Sequence, residues 1–221
     1  MKLLKDLYVY PWQDPYENNC NTYVITGKKT ILIDPGHRRF LDSLFARMKE
    51  DRISADAIDL LVVTHSHPDH LEGAEAFQDR ALKVAMSRNE VNYLRGPGKY
   101  LYEMMGQSVP RIRFDFYLKE GELHVEDKAF EIYETPGHSP GSLSIYWPKP
   151  KALFTGDVIF SGGIGRTDFP EGDPDLLARS IERLSRLDIE ILLPGHGEII
   201  MGKDEVLENF EVIRESFFGY L

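Results

Sequence analysis

Residues 58 to 70 read I-D-L-L-V-V-T-H-S-H-P-D-H. The apolar run Ile58 to Val63 has the length of a fully buried strand. At its end come four ligand-type side chains in six positions, His65, His67, Asp69 and His70, so that three of the chain's seven histidines are spent in one place. Unpaired, such groups are costly to bury at a strand end, and a bound cation is the economical way to satisfy them. The fold must therefore deliver a buried strand to a polar corner where cations can sit.

In extended chain, positions two apart point the same way, so His65 and His67 can place their imidazoles side by side on one ion. Pro68 can open a helix running to about Phe77, since a first-turn proline loses no needed N–H. That turn rotates Asp69 and His70 away from the first pair, toward a second ion at the separation of about 3.5 Å typical of two-metal sites.

The rest of the chain supplies the frame. Leu7 to Tyr10, Asn21 to Thr26 and Thr30 to Asp34 read as strands, the last two a hairpin around G-K-K. Phe40 to Lys49 shows one apolar helical face. Leu82 to Met86 reads as a strand and Ser87 to Leu94 as a helix. Further on, Ala129 to Glu134, Leu143 to Trp147, Ala152 to Thr155 and Ile189 to Leu193 read as strands, with helices at Asp175 to Leu187 and Asp204 to Phe217. This rhythm predicts a layered α/β architecture, taken as one domain over residues 1–221 with two related halves. The last helix carries Phe210, Ile213, Phe217 and Phe218 before G-Y-L, a stripe that packs on the core or forms a homodimer contact. Residues 96 to 110, bounded by Gly and Pro, are either a surface connection with a helical turn or a substrate wall in which Tyr100, Tyr102, Met104 and Met105 could take part.

Three more ligand candidates stand at predicted strand ends: His138 in T-P-G-H-S-P-G, Asp157 in F-T-G-D-V and His196 in L-P-G-H-G. His37 and His124 match no such setting and read as non-ligands. Cys20 is the single cysteine, so a thiolate cluster is excluded, and it reads as a small core residue. The formal net charge of -10 argues against an electrostatic grip on nucleic acid or an anionic membrane. Lys5 and Asp6 interrupt the apolar run a signal peptide needs, so the expected location is cytoplasmic.

These strings, in this order and over nearly the whole chain, resemble the metallo-β-lactamase-fold superfamily. The resemblance implies an αββα four-layer sandwich, two mixed β-sheets flanked by helices. It implies that His65, His67 and His138 hold one metal, that Asp69, His70 and His196 hold another, and that Asp157 bridges them. A β-lactamase of this fold commonly has cysteine where Asp157 stands, which disfavours antibiotic hydrolysis. The segment G-R-T-D-F (165 to 169) is similar to one in short glyoxalase II-like hydrolases and in persulfide dioxygenases, with Arg166 and Asp168 able to pair.

The implied activity is cleavage of a small-molecule thioester by a metal-bound hydroxide, with two divalent ions, zinc first and iron or manganese as options, and with Asp69 as a catalytic group orienting the nucleophile. The alternative is a mononuclear iron persulfide dioxygenase using His65, His138 and Asp157. Lactones and phosphodiesters stand behind both.

Overall fold

The period-two alternation of very short strands decides the layering. In the computed structural model, which describes residues 1–219, Ile31 and Ile33 of one strand face one side while Leu32 faces the other. The first sheet runs in sequence order: β1 (Leu7–Tyr10), β2 (Thr22–Ile25), β3 (Ile31–Ile33), β4 (Leu60–Val62), β5 (Lys83–Ser87) and β6 (Phe116–Leu118). β1 to β3 pair antiparallel and β3 to β6 pair parallel. Parallel neighbours need crossovers, and these contain α1 (Leu41–Glu50), α2 (Pro68–Leu71), α3 (Arg88–Arg95) and α4 (Lys99–Met104).

The second sheet contains β7 (Gly121–Val125), β8 (Lys128–Glu134), β9 (Leu143–Trp147) and β10 (Ala152–Gly156) as an antiparallel meander. A small hairpin, β11 (Ile159–Phe160) with β12 (Gly163–Ile164), leads into α5 (Pro174–Leu184). The chain then returns as β13 (Ile191–Pro194), parallel to β10, adds β14 (Ile200–Met201) and ends in α6 (Lys203–Phe217). The two main sheets thus have six strands each, the first mostly parallel and the second mostly antiparallel.

Between the sheets lie Ile31, Ile33, Leu60 and Val62 from one side and Ile145, Phe154, Ile191 and Leu193 from the other. Outside the first sheet, Leu32, Leu61 and Val84 meet Leu41, Met48 and Leu71. Outside the second, Leu153 and Leu192 meet Leu177, Ile181, Phe210 and Ile213. Four layers result, as the resemblance implied. Each fully buried aliphatic contributes about 1.5–3 kcal/mol relative to exposure. The last helix therefore packs on the core; Tyr220 and Leu221 of its terminal G-Y-L lie outside the described residues.

One predicted helix is shorter than expected. The helix starting at Pro68 is α-helical only to Leu71 and continues as a 3-10 turn over Glu72–Phe77. Gly73 donates its N–H to the Gly36 carbonyl at 2.7 Å, and a Cβ there would meet that oxygen at 2.7 Å. Docking on the D-P-G-H turn tightens the helix at that point. Among the described residues no helix is long and apolar enough to cross a membrane.

Candidate metal centre

β4 and β10 end at the same edge of their sheets, and the chain beyond each strand carries the polar corner. After β4, Thr64 donates N–H and Oγ–H to the two oxygens of Asp34, each at 2.7 Å, which fixes the start of the His65–His70 loop. His67 is extended at φ -63° and ψ 148° and caps α2, so His65 and His67 precede the turn while Asp69 and His70 follow it. All four are buried.

The remaining candidates arrive from the second sheet. Asp157 follows β10, His196 follows β13, and His138 follows β8 on the T-P-G-H turn. His67 Nδ1 and His138 Nε2 approach to 2.9 Å, and His70 Nε2 and His196 Nε2 to 3.2 Å. Asp157 lies between these pairs: its Oδ1 is 3.1 Å from His70 Nε2, and its Oδ2 is 3.4 Å from His196 and 3.6 Å from His138. His196 also stands 3.1 Å from Asp69. Gly195 makes this approach feasible, because a Cβ there would sit 2.2 Å from Asp157 Oδ1.

Donor atoms of His65, His67 and His138 lie within 4.8 Å of one another, as do those of Asp69, His70 and His196, and those of His65, His70 and Asp157. All seven candidates read from the sequence are therefore brought together. His138 Nδ1 donates to the Arg166 carbonyl at 2.7 Å and His70 Nδ1 to Asp34 at 2.9 Å, which leaves the opposite nitrogens as lone-pair donors facing their partners. Two nitrogens on one tetrahedral zinc-sized ion stand about 3.3 Å apart, close to both observed pairs. His65 Nε2, His67 Nε2 and Asp157 Oδ1 are buried with no hydrogen bond. Orphaned donors, paired lone pairs and a shared carboxylate all fit a divalent metal site.

The electrostatics divide along the same line. Burial, reinforced by neighbouring imidazoles, pushes His65 and His67 well below the ordinary histidine range. Burial also opposes protonation of His70 and His196, but Asp157, together with Cys20 and Asp34 at His70 and with Asp69 at His196, outweighs it, raising His70 well above its usual value and His196 to about 10. Burial would raise Asp69 and Asp157, yet the facing histidines hold both well below the usual carboxylate range.

A cavity of about 540 Å³ opens over the donors, lined in part by Asp69, His138, Asp157 and His196. From residues 96–110, Leu101, Met104 and Met105 line the cavity. Tyr102 is instead buried, donating its hydroxyl to the Ser66 carbonyl at 3.1 Å, and Tyr100 is not among the lining residues. The Arg166 side chain lies at the cavity, donates two hydrogen bonds to Asp168 at 2.5–2.6 Å and stacks 4.0 Å from the Phe169 ring. His37 pairs with Glu72, His124 is a surface residue beside Glu122, and the buried Cys20 thiol, pushed up by burial, donates to the Asp34 carbonyl.

Three supporting residues were not singled out from sequence. Asp34 orients both Thr64 and His70. Asn18 donates to Asp69 at 2.7 Å. Glu90, fully buried, accepts from the Ser66 and Gly141 amides at 2.8 Å and from the Ser139 hydroxyl, tying the His65–His67 loop to the His138 loop. The string S-R-N-E carried a signal, since Ser87 and Glu90 have capping-box spacing. Ser87 does cap the Glu90 amide at 3.0 Å, but the carboxylate is turned to the loops.

Comparison with known proteins places these features in context. The family model described as the Metallo-beta-lactamase superfamily matches residues 15–196. A hydroxyacylglutathione hydrolase of Haemophilus influenzae is 33% identical over 194 residues, which cover 82% of this chain and 86% of that protein. The crystal structure of the B3 metallo-beta-lactamase BLEG-1 is similar with a TM-score of 0.77 and 28% identity, over 95% of this chain and 96% of the other. A protein crystallised in a di-iron-bound form gives a TM-score of 0.73 and 29% identity, over 90% and 96%.

Proposed function

This chain belongs to the metallo-beta-lactamase superfamily and is a metallo-hydrolase, and on that premise we propose that it cleaves thioesters at a two-ion centre. The observation that carries the reading is Asp157, whose carboxylate stands between two complete three-residue donor groups beneath an open cavity. His65, His67 and His138 would hold one divalent ion and Asp69, His70 and His196 the other, with Asp157 shared. When bound, such ions supply Lewis acidity and bring the pKa of water to about 7. The likeness to a hydroxyacylglutathione hydrolase supports the thioester as the substrate class. The similar di-iron-bound protein is consistent with two ions; zinc suits the histidine-rich donors equally, and manganese is a third option.

The chain's own groups then have definite tasks. The Arg166 carbonyl and Asp34 keep His138 and His70 in the tautomers that face the centre. Asp69, at the cavity surface and steadied by Asn18, offers a carboxylate oxygen to the proton of an attacking water. A single iron on His65, His138 and Asp157 would leave the converging donor group of Asp69, His70 and His196 without an ion, so the dioxygenase alternative has less support.

The test is elemental analysis of the purified protein together with an activity panel. About two ions per chain with thioester hydrolysis is the expected result. One iron per chain with O₂ uptake on a persulfide would sink the proposal, and so would hydrolysis of β-lactams, lactones or phosphodiesters alone.

A further inference from the structure

Resting on the thioesterase reading, we infer that the acyl arm of the substrate is uncharged and apolar, a fatty-acyl-type chain of several carbons, and that Met104 and Met105 select it. Besides Pro68, six apolar residues line the cavity: Leu101, Met104, Met105, Phe160, Ile164 and Phe169. They reach the chemistry on both sides. The Phe169 ring lies 5.4 Å from the His67 ring and the Phe160 ring 6.0 Å from the His196 ring. A chain laid on these rings brings its carbonyl to the donors.

At the outer end the wall is apolar and exposed. Met104 is 63% exposed and Met105 46%. An exposed apolar group next to a cavity is what a bound chain would cover. Methionine suits that use, since its flexible thioether moulds to chains of different length.

The charge inventory points the same way. Apart from the histidines, Arg166 is the only cationic side chain among the described residues lining the cavity, and it is committed to Asp168 and Phe169. No lysine or second arginine lines the cavity there to pair with the carboxylates of a glutathione conjugate. Because carrier thiols are polar at their far end, the apolar arm is the acyl one.

The experiment uses the metal-loaded full chain and thioesters of N-acetylcysteamine with acetyl, butyryl, hexanoyl and octanoyl groups, beside S-lactoylglutathione. kcat/KM should rise with chain length by roughly two- to fourfold per methylene, fourfold being the limit for full burial. S-lactoylglutathione should fall below the hexanoyl ester. Met105→Glu should cut the octanoyl-to-acetyl ratio at least tenfold, and Met105→Leu should retain it, which separates selection from misfolding. A readout independent of turnover is calorimetric binding of ketone analogues in which a methylene replaces the thioester sulfur. The octanoyl analogue should bind at least tenfold more tightly than the acetyl one. A flat chain-length series, or preference for S-lactoylglutathione, overturns this inference while leaving the thioesterase reading in place. Failure to cleave any thioester with metal loaded overturns the reading beneath it.

Discussion

His65, His67 and His138 form an all-imidazole donor set with Arg166 and Glu90 behind it, whereas Asp69, His70 and His196 stand among carboxylates, and two residues of each group line the cavity. His65 and His67 are pushed toward neutrality by burial, while His70 and His196 are drawn toward protonation by Asp157 and its neighbours. The His138 side chain is 2% exposed, that of His196 26%. On the proposed two-ion reading, the difference teaches how one chain would hold two cations close together. One place is built of imidazoles alone, the other carries a carboxylate and the more exposed His196, and Asp157 stands between them.

The shared residue is where the largest effect is expected. Asp157→Asn keeps the shape and removes the charge that both groups use. Metal content should fall from about two ions per chain toward one or fewer, and kcat/KM on the preferred thioester should drop on the order of a thousandfold. Unchanged metal content would mean that Asp157 is not common to the two groups, and the comparison would lose its basis.

Next in size are substitutions that address one group at a time. Glu90→Gln weakens the tie between the His65–His67 loop and the His138 loop, and Asp34→Asn weakens the hold on His70. Each should lower the affinity for its own ion by about 10- to 100-fold, measured by competition with a chromophoric chelator, and change the other by less than threefold. Equal weakening of both ions by both variants would show one cooperative unit instead of two groups.

How much of this was legible in the sequence follows from distance along the chain. The seven donors could be read because each sits in a short string at a strand end, and strand ends follow from local periodicity. Asp34, Asn18 and Glu90 could not, since their partners lie 36, 51 and 51 residues away and nothing local marks the pairing. The same limit hid β6 and β7. Phe116–Leu118 is three residues long, and Gly121–Val125 lies at a sheet edge with mostly exposed side chains, so neither shows the apolar alternation of a central strand. The helix beyond Pro68 was read too long because its tightening at Gly73 depends on contact with Gly36.

A smaller effect is expected in the order of metal loss. Dialysis against a chelator, followed by native mass spectrometry, should remove one ion about tenfold faster than the other, as the partly exposed His196 is hydrated more readily than the buried donors. Asp34→Asn should speed the fast phase and leave the slow one. Acceleration of the slow phase would reverse the assignment of accessible and walled-in groups.

The smallest effect tests the opposed charge preferences directly, in metal-free protein. Unfolded histidines take up protons as pH falls through about 6.5. His65 and His67 refuse them in the fold, so the unfolded state binds more protons below that pH, and stability is lost as pH falls. His70 and His196 retain protons in the fold above 6.5, so their contribution is fully present below that pH and is lost as pH rises toward about 10, where His196 titrates. The metal-free chain should therefore be most stable near pH 6.5, with each histidine contributing at most about 1.4 kcal/mol per pH unit to either limb. Asp69 and Asp157, held below the carboxylate range, act only below about pH 4 and do not disturb this window. Urea unfolding at pH 5.5, 6.5 and 8.5 gives the three points. His67→Ala should flatten the acid limb and His196→Ala the alkaline one. If His196→Ala flattened the acid limb instead, the protons would reside on the other group, and the contrast between neutral and anionic sites would run the opposite way.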